Sequence, residues 1–257
     1  MNAIDNDGLQ ARQAVLPSNA PPRLDTIKLP LIQLTEKEFL DSVLCRRSRH
    51  AGIQVLHATD SNAAKLLMTP TRDAKVAGPD LREAHRRVYL ATEFLADVIG
   101  IEEYQTTHVQ GHDTSGYRLL HEQKTLIVAL MRGGEAMAFG VNDAFPRAVF
   151  VHASRPDDIM LQHLEGQRAV VLVDSVVNSG KTVVQFVQRV RNLHATIRIV
   201  IVAGVVQAQS VSGGSHARPL ARHAGLSLVA LRLSDNMFTG RGITDTGNRL
   251  FNTTHLP

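Results

Sequence analysis

Within residues 170–193, VVLVDSVVNSGKTVVQFVQRVRNL, an acid, two hydroxyls and a lysine follow an apolar run. Asp174 stands directly after that run, and Ser179 and Thr182 bracket Gly180 and Lys181. These types suit phosphate chemistry. Successive backbone N–H groups in a tight loop, continued by the unpaired N–H groups of a helix N-terminus, attract anions. Asn178 and Gly180 supply the turn, Ser179 and Thr182 add hydroxyl donors, and Lys181 adds a compact positive charge. Asp174, one loop away, can accept hydrogen bonds from ribose hydroxyls, so a ribose 5-phosphate group would satisfy both ends. A second stretch, LIVALMRGG at 126–134, repeats the order of apolar run, charge and glycine. There Arg132, with the flexible amides of Gly133 and Gly134, could hold a diphosphate.

Both stretches need a strand before them and a helix after them. Residues 170–173 form an unbroken apolar run, suited to a strand buried on both faces of a parallel sheet. From Thr182 the apolar positions Val183, Val184, Phe186, Val187, Val190 and Leu193 recur on one helical face, after a polar loop over 175–180. The same reading predicts strands over 125–130, 147–152, 197–206 and 226–233, and helices over 135–143 and 216–223. Earlier in the chain it predicts a strand over 53–56 and a polar stretch through Tyr117. It also predicts helices over 35–44 (capping box Thr35 and Glu38) and 80–99 (Asp80 capping, Gly100 stopping). The pattern implies an α/β fold, a mostly parallel central sheet flanked by helices. Residues 1–25 read as a disordered or loosely ordered tail and 26–257 as one domain. Open α/β sheets bind ligands beyond the carboxyl ends of their strands, so the two stretches are expected to face one cleft.

Composition narrows the function classes. Aromatic residues are only 4% and tryptophan is absent, which disfavours base-stacking platforms for RNA. One cysteine excludes an intramolecular disulfide and a paired-cysteine zinc site. The twelve histidines show no metal-site spacing. A formal charge of +4, scattered along the chain, lacks the basic stripe of a nucleic-acid surface. There is no apolar run of membrane-spanning length and no signal-peptide pattern. The expectation is a soluble cytoplasmic protein that acts on small molecules, with no nucleic-acid or membrane partner.

The central stretch fits two families. Ser179 to Thr182, SGKT, resembles the end of a Walker A loop, but Ser175 holds the position of its first glycine and Asp174 would crowd a nucleoside triphosphate. The alternative is the phosphoribosyl-diphosphate (PRPP) loop of type I phosphoribosyltransferases, an apolar strand, an acid and a short loop ending in Thr/Ser-Gly. An ordinary strand-to-helix turn also stays open on this segment alone. The flanking segments favour the PRPP loop. From about residue 53 onward the chain resembles uracil phosphoribosyltransferase. LMRGGEAMAFGVNDAFPRAVFVH is similar to the family's Arg-Ala-Gly segment, MTPTRD around Arg72 to its Leu-Arg-Asp segment, and FTGRGITDTGNRLFNT to its uracil-recognition tail.

The resemblance implies a type I phosphoribosyltransferase fold and transfer of ribose 5-phosphate from PRPP to uracil, giving UMP and diphosphate. By that resemblance Asp174 holds ribose hydroxyls, and Asn178, Ser179, Gly180, Lys181 and Thr182 cradle the 5-phosphate. Arg132, Gly133 and Gly134, with Arg72, hold diphosphate, and Thr239, Gly240, Thr244 and Asp245 read uracil. Asp174, Arg132 and Asp245 are the implied catalytic residues. Mg²⁺ would arrive bound to PRPP, with no dedicated protein metal site, and the assembly would be a homodimer or higher homo-oligomer. Departures fall within the motifs: Lys181, Thr244 and Asn252 stand where the family has glycine, Asn248 where it has aspartate, Thr239 where it has isoleucine. They keep open a homologue that binds PRPP or a nucleotide as a regulator without turnover; a P-loop-type nucleotide kinase is the third alternative.

Overall fold

The computed structural model describes residues 46–50, 53–59, 62–87, 91–211, 220, 223, 225–237 and 239–255. The expected tail over 1–25 and helix over 35–44 lie outside these residues, as does most of the expected helix over 216–223. Two strands, β1 (Arg46–His50) and β2 (Ile53–His57), are followed by α1 (Asn62–Arg72), α2 (Gly78–Arg87) and α3 (Ala91–Ile99). A hairpin of β3 (Ile101–Thr107) and β4 (Asp113–Leu119) precedes the alternating half. That half runs β5 (Thr125–Leu130), α4 (Glu135–Ala144), β6 (Val149–Ala153), α5 (Leu161–Leu164), β7 (Ala169–Val177), α6 (Lys181–Leu193), β8 (Arg198–Gln207), α7 (Ala208–Val211), β9 (Leu226–Ser234) and α8 (Thr246–Leu250).

The main sheet has the order β1-β2-β9-β8-β7-β5-β6. Six strands run parallel, from β2 to β6 in that order, and β1 joins β2 antiparallel. Helices cover both faces, and the strand residues sort by parity between two cores. Val170 and Leu172 of β7 pack with Phe186, Val187 and Val190 of α6. Val171 and Val173 pack on the other face with Met137 and Val141 of α4 and Leu95 and Val98 of α3. A strand apolar at every position is what burial on both faces requires.

The expected helix over 80–99 is helical at all its described residues, in α2 through Arg87 and in α3 from Ala91 to Ile99. Two local expectations are corrected. The polar stretch before Tyr117 is the β3–β4 hairpin, whose residues are mostly exposed and give no alternating apolar signal. β7 does not end at Asp174 but continues to Val177, because Val176 and Val177 pair with Val205 and Val206 of β8. β-branched side chains favour that extension. The turn before α6 is therefore 178–180, and Gly180 closes it at φ 73°, a left-handed conformation natural to glycine.

Candidate active site

β5 and β7 are neighbours in the sheet, with Ala129 opposite Val173, so Arg132 and Asp174 follow at the same carboxyl edge. The chain leaves β5 toward β6 on one side and leaves β7 toward β8 on the other. Loops that diverge in this way open a crevice at the switch of strand order. Here it is a cavity of about 410 Å³ whose walls include Arg132, Gly133, Asp174, Asn178, Thr239, Gly240 and Asp245. Two segments far apart in the sequence, the β5 turn and the C-terminal tail, thus meet across β7.

Glycine makes the close approaches possible. A Cβ on Gly133 would lie 2.9 Å from Ser175 Oγ and 3.4 Å from Asp174 Oδ1, so its absence lets the carboxyl reach the turn. On Gly247 a Cβ would lie 3.3 Å from both Cβ and Nε of Arg132, so the bare backbone of α8 receives that side chain. Gly134 serves differently. It is buried, outside the cavity wall, and lies against the β7 backbone at Val173. Its closeness to that backbone gives it a packing role there.

Arg132 is held by the tail. Its guanidinium donates to Asn248 Oδ1 at 2.7 Å and to Thr253 Oγ1 at 3.1 Å, and it lies 3.8 Å from Asp245 Oδ1. Asp245 caps α8, accepting from the Asn248 N–H at 2.8 Å. The tail is in turn fastened to the first helices. Arg249 donates to the carbonyls of Thr71, Asp73 and Val76 at 3.3, 2.7 and 2.9 Å, and Arg82 donates to the Leu250 carbonyl at 2.7 Å. A charged donor shared among three carbonyls fixes the direction of α8 and with it the Arg132 partners. The sequence reading marked Asn248 only as a departure and missed Thr253, Gly247 and Arg249 as site-building residues, since each acts through a partner more than 100 positions away.

The Asp174 carboxyl keeps some access to the cavity, yet the surrounding protein strips it of water, and this burial pushes its pKa from 3.8 up to about 7. Hydrogen bonds from the backbone N–H groups of Ser175, at 2.7 Å, and Val176 oppose the shift without cancelling it. A carboxyl poised near neutrality can accept hydroxyl donors once a ligand favours its charged form.

Several expected site residues stand elsewhere. Of residues 178–182, Asn178 alone lines this cavity; Ser179, Lys181 and Thr182 are exposed and Gly180 is buried beneath the turn. Arg72 lines an adjoining cavity. Thr244 is exposed, and its Oγ1 donates to the Arg241 carbonyl at 3.0 Å and accepts from the Arg241 N–H at 2.9 Å. Its side chain is folded onto its own turn, so it does not narrow the cavity.

Residues 58–253 match the model of the family described as uracil phosphoribosyltransferase. No curated protein matches the chain in sequence. Among solved structures, the AQ2163 protein of Aquifex aeolicus is 16% identical with a TM-score of 0.57, over 76% of this chain and 98% of that one, a likeness of fold. A xanthine-guanine-hypoxanthine phosphoribosyltransferase of Helicobacter pylori is 10% identical with a TM-score of 0.36, over 59% and 85% of the two chains. Among the described residues no helix is long and apolar enough to cross a membrane.

Proposed function

The chain belongs to the uracil phosphoribosyltransferase family, and from that premise we propose that it transfers ribose 5-phosphate from PRPP to uracil. The observation that carries the reading is the convergence of Asp174, Arg132 and the tail residues Thr239, Gly240 and Asp245 on one cavity. In the reaction the bond from the anomeric carbon to diphosphate breaks, a bond to a pyrimidine nitrogen forms, and that nitrogen loses its proton. The transition state has oxocarbenium character, so positioning and charge stabilisation outweigh any strong base. Asp174 accepts the ribose hydroxyls and fixes the sugar. Arg132, released from Asn248 and Thr253, neutralises the leaving diphosphate. Backbone groups around Thr239 and Gly240 read the uracil edge beside Asp245.

The cavity's two carboxylates, Asp174 and Asp245, suit a magnesium ion that comes with PRPP. Among the described residues no cluster of three or more His, Cys, Asp or Glu side chains forms a metal cage. When bound, the ion would neutralise diphosphate charge.

The departures from the family's motifs at Lys181, Thr244 and Asn248, the last of which holds Arg132, support a second reading, a homologue that binds PRPP or a nucleotide without turnover. The deciding experiment measures uracil-dependent diphosphate release from PRPP with Mg²⁺, beside calorimetric PRPP binding. Steady release supports the transferase; binding without release with any nucleobase supports the regulator, and absence of both sinks the site. Thr244 supplies a sharper check. Because its side chain points onto Arg241, Thr244→Gly should change the uracil KM less than about twofold, as expected of an exposed substitution outside a contact. A large improvement in KM would show that Thr244 does obstruct the base.

A further inference from the structure

Beside the cavity of Asp174 and Arg132 lies a second one of about 370 Å³, and Ser175, Val176, Asn178 and Thr246 line both. Their charges are opposite in character. Among the described residues the first is lined by Asp174, Asp245 and one arginine, whereas the second is lined by Arg72, Arg232 and Arg249 with no aspartate or glutamate. Arg249 is committed to the carbonyls of Thr71, Asp73 and Val76. The side chains of Arg72 and Arg232 make no hydrogen bond or ion pair with another described residue. Guanidinium groups gathered without a counter-charge repel one another, and an anion between them removes that cost.

The floor is of another kind. Met68 and Met137 present thioethers and Gly204 presents bare backbone, since a Cβ there would meet the Ser175 carbonyl at 2.9 Å and Met137 Sδ at 3.5 Å. Such a floor accepts a flat apolar group. His85, also on the wall, is buried, and desolvation lowers its pKa, so it brings little added charge at neutral pH.

We infer that this second cavity binds a small phosphomonoester with a flat apolar body, its phosphate between Arg72 and Arg232 and its body on Met68, Met137 and Gly204. The site is distinct from the one that takes PRPP and would be occupied together with it. The shared Ser175 and Asn178 make the partition between them thin, so each ligand rests against a segment that also bounds the other.

The test is calorimetric titration of the full chain with phenyl phosphate, with inorganic phosphate and with benzyl alcohol. Phenyl phosphate should bind one per chain and at least tenfold more tightly than inorganic phosphate, while benzyl alcohol should show no saturable binding. Binding should persist when PRPP is present. Arg232→Gln should weaken phenyl phosphate at least tenfold and leave PRPP binding within twofold, and Arg232→Lys should restore part of the affinity. Displacement of phenyl phosphate by PRPP, or equal affinity for wild type and Arg232→Gln, would overturn the inference, as would absence of phenyl phosphate binding at millimolar concentration. Asp174→Asn separates this outcome from failure of the transferase reading, because it should weaken PRPP and spare phenyl phosphate.

Discussion

Asp174→Asn is expected to give a protein that is more stable than the wild type at pH 8 and nearly inert. The folded protein holds the Asp174 proton to about pH 7, against 3.8 for a free aspartate carboxyl. Folding therefore takes up a proton between those values, and stability falls as the pH rises through that window. Asparagine cannot ionise, keeps an oxygen for the Ser175 N–H, and escapes the cost of a desolvated charge. The variant should gain on wild type from pH 4 to 7 and hold a constant lead above it, on the order of 2 kcal/mol after allowance for the carboxyl's access to the cavity. Turnover should drop roughly a hundredfold or more, since a neutral amide holds the ribose and its developing charge more weakly. Denaturant unfolding at pH 4.5 and 8, beside diphosphate release, measures both. A variant that is no more stable at pH 8, or that turns over normally, contradicts the placement of this carboxyl.

The second large effect is expected at Gly134, where alanine should unseat the whole β5 turn. The added carbon would lie 2.1 Å from the Val173 carbonyl oxygen and 2.9 Å from that of Leu130. Both obstacles are backbone atoms of core strands, so no side-chain rotation relieves them. Stability should fall by more than about 3 kcal/mol, which for a domain of this size lowers the melting temperature by roughly 6–12 °C. Arg132, two residues away, should lose its alignment, and PRPP affinity should fall with it. Gly133→Ala is the control, because its nearest obstacle at 2.9 Å is the rotatable Ser175 hydroxyl. It should melt closer to wild type. If the two variants melt alike, backbone contact is not what requires Gly134.

The sequence alone determined the six parallel strands of the sheet, but not β1 at its edge. Runs such as 125–130, 170–173 and 226–233 are apolar at nearly every position, and only a strand covered on both faces buries such a run. The strand-turn-helix grammar likewise located Asp174 and Arg132, because ligand groups on a parallel sheet collect at carboxyl ends. The tail motif carried the family. Tertiary structure decided what local pattern cannot express. Val176 and Val177 become strand because β8 offers them partners, and Ser179, Lys181 and Thr182 follow as exposed residues outside the cavity lining. The β3–β4 hairpin is held by cross-strand contacts such as the 2.6 Å Arg118–Glu102 ion pair and Arg118 over Tyr104, which polar composition does not announce. Arg72 and Arg132, both basic and both near expected motifs, line different cavities. Side-chain chemistry is written position by position, but which charges share a cavity depends on strand order and on loops that meet across the sheet.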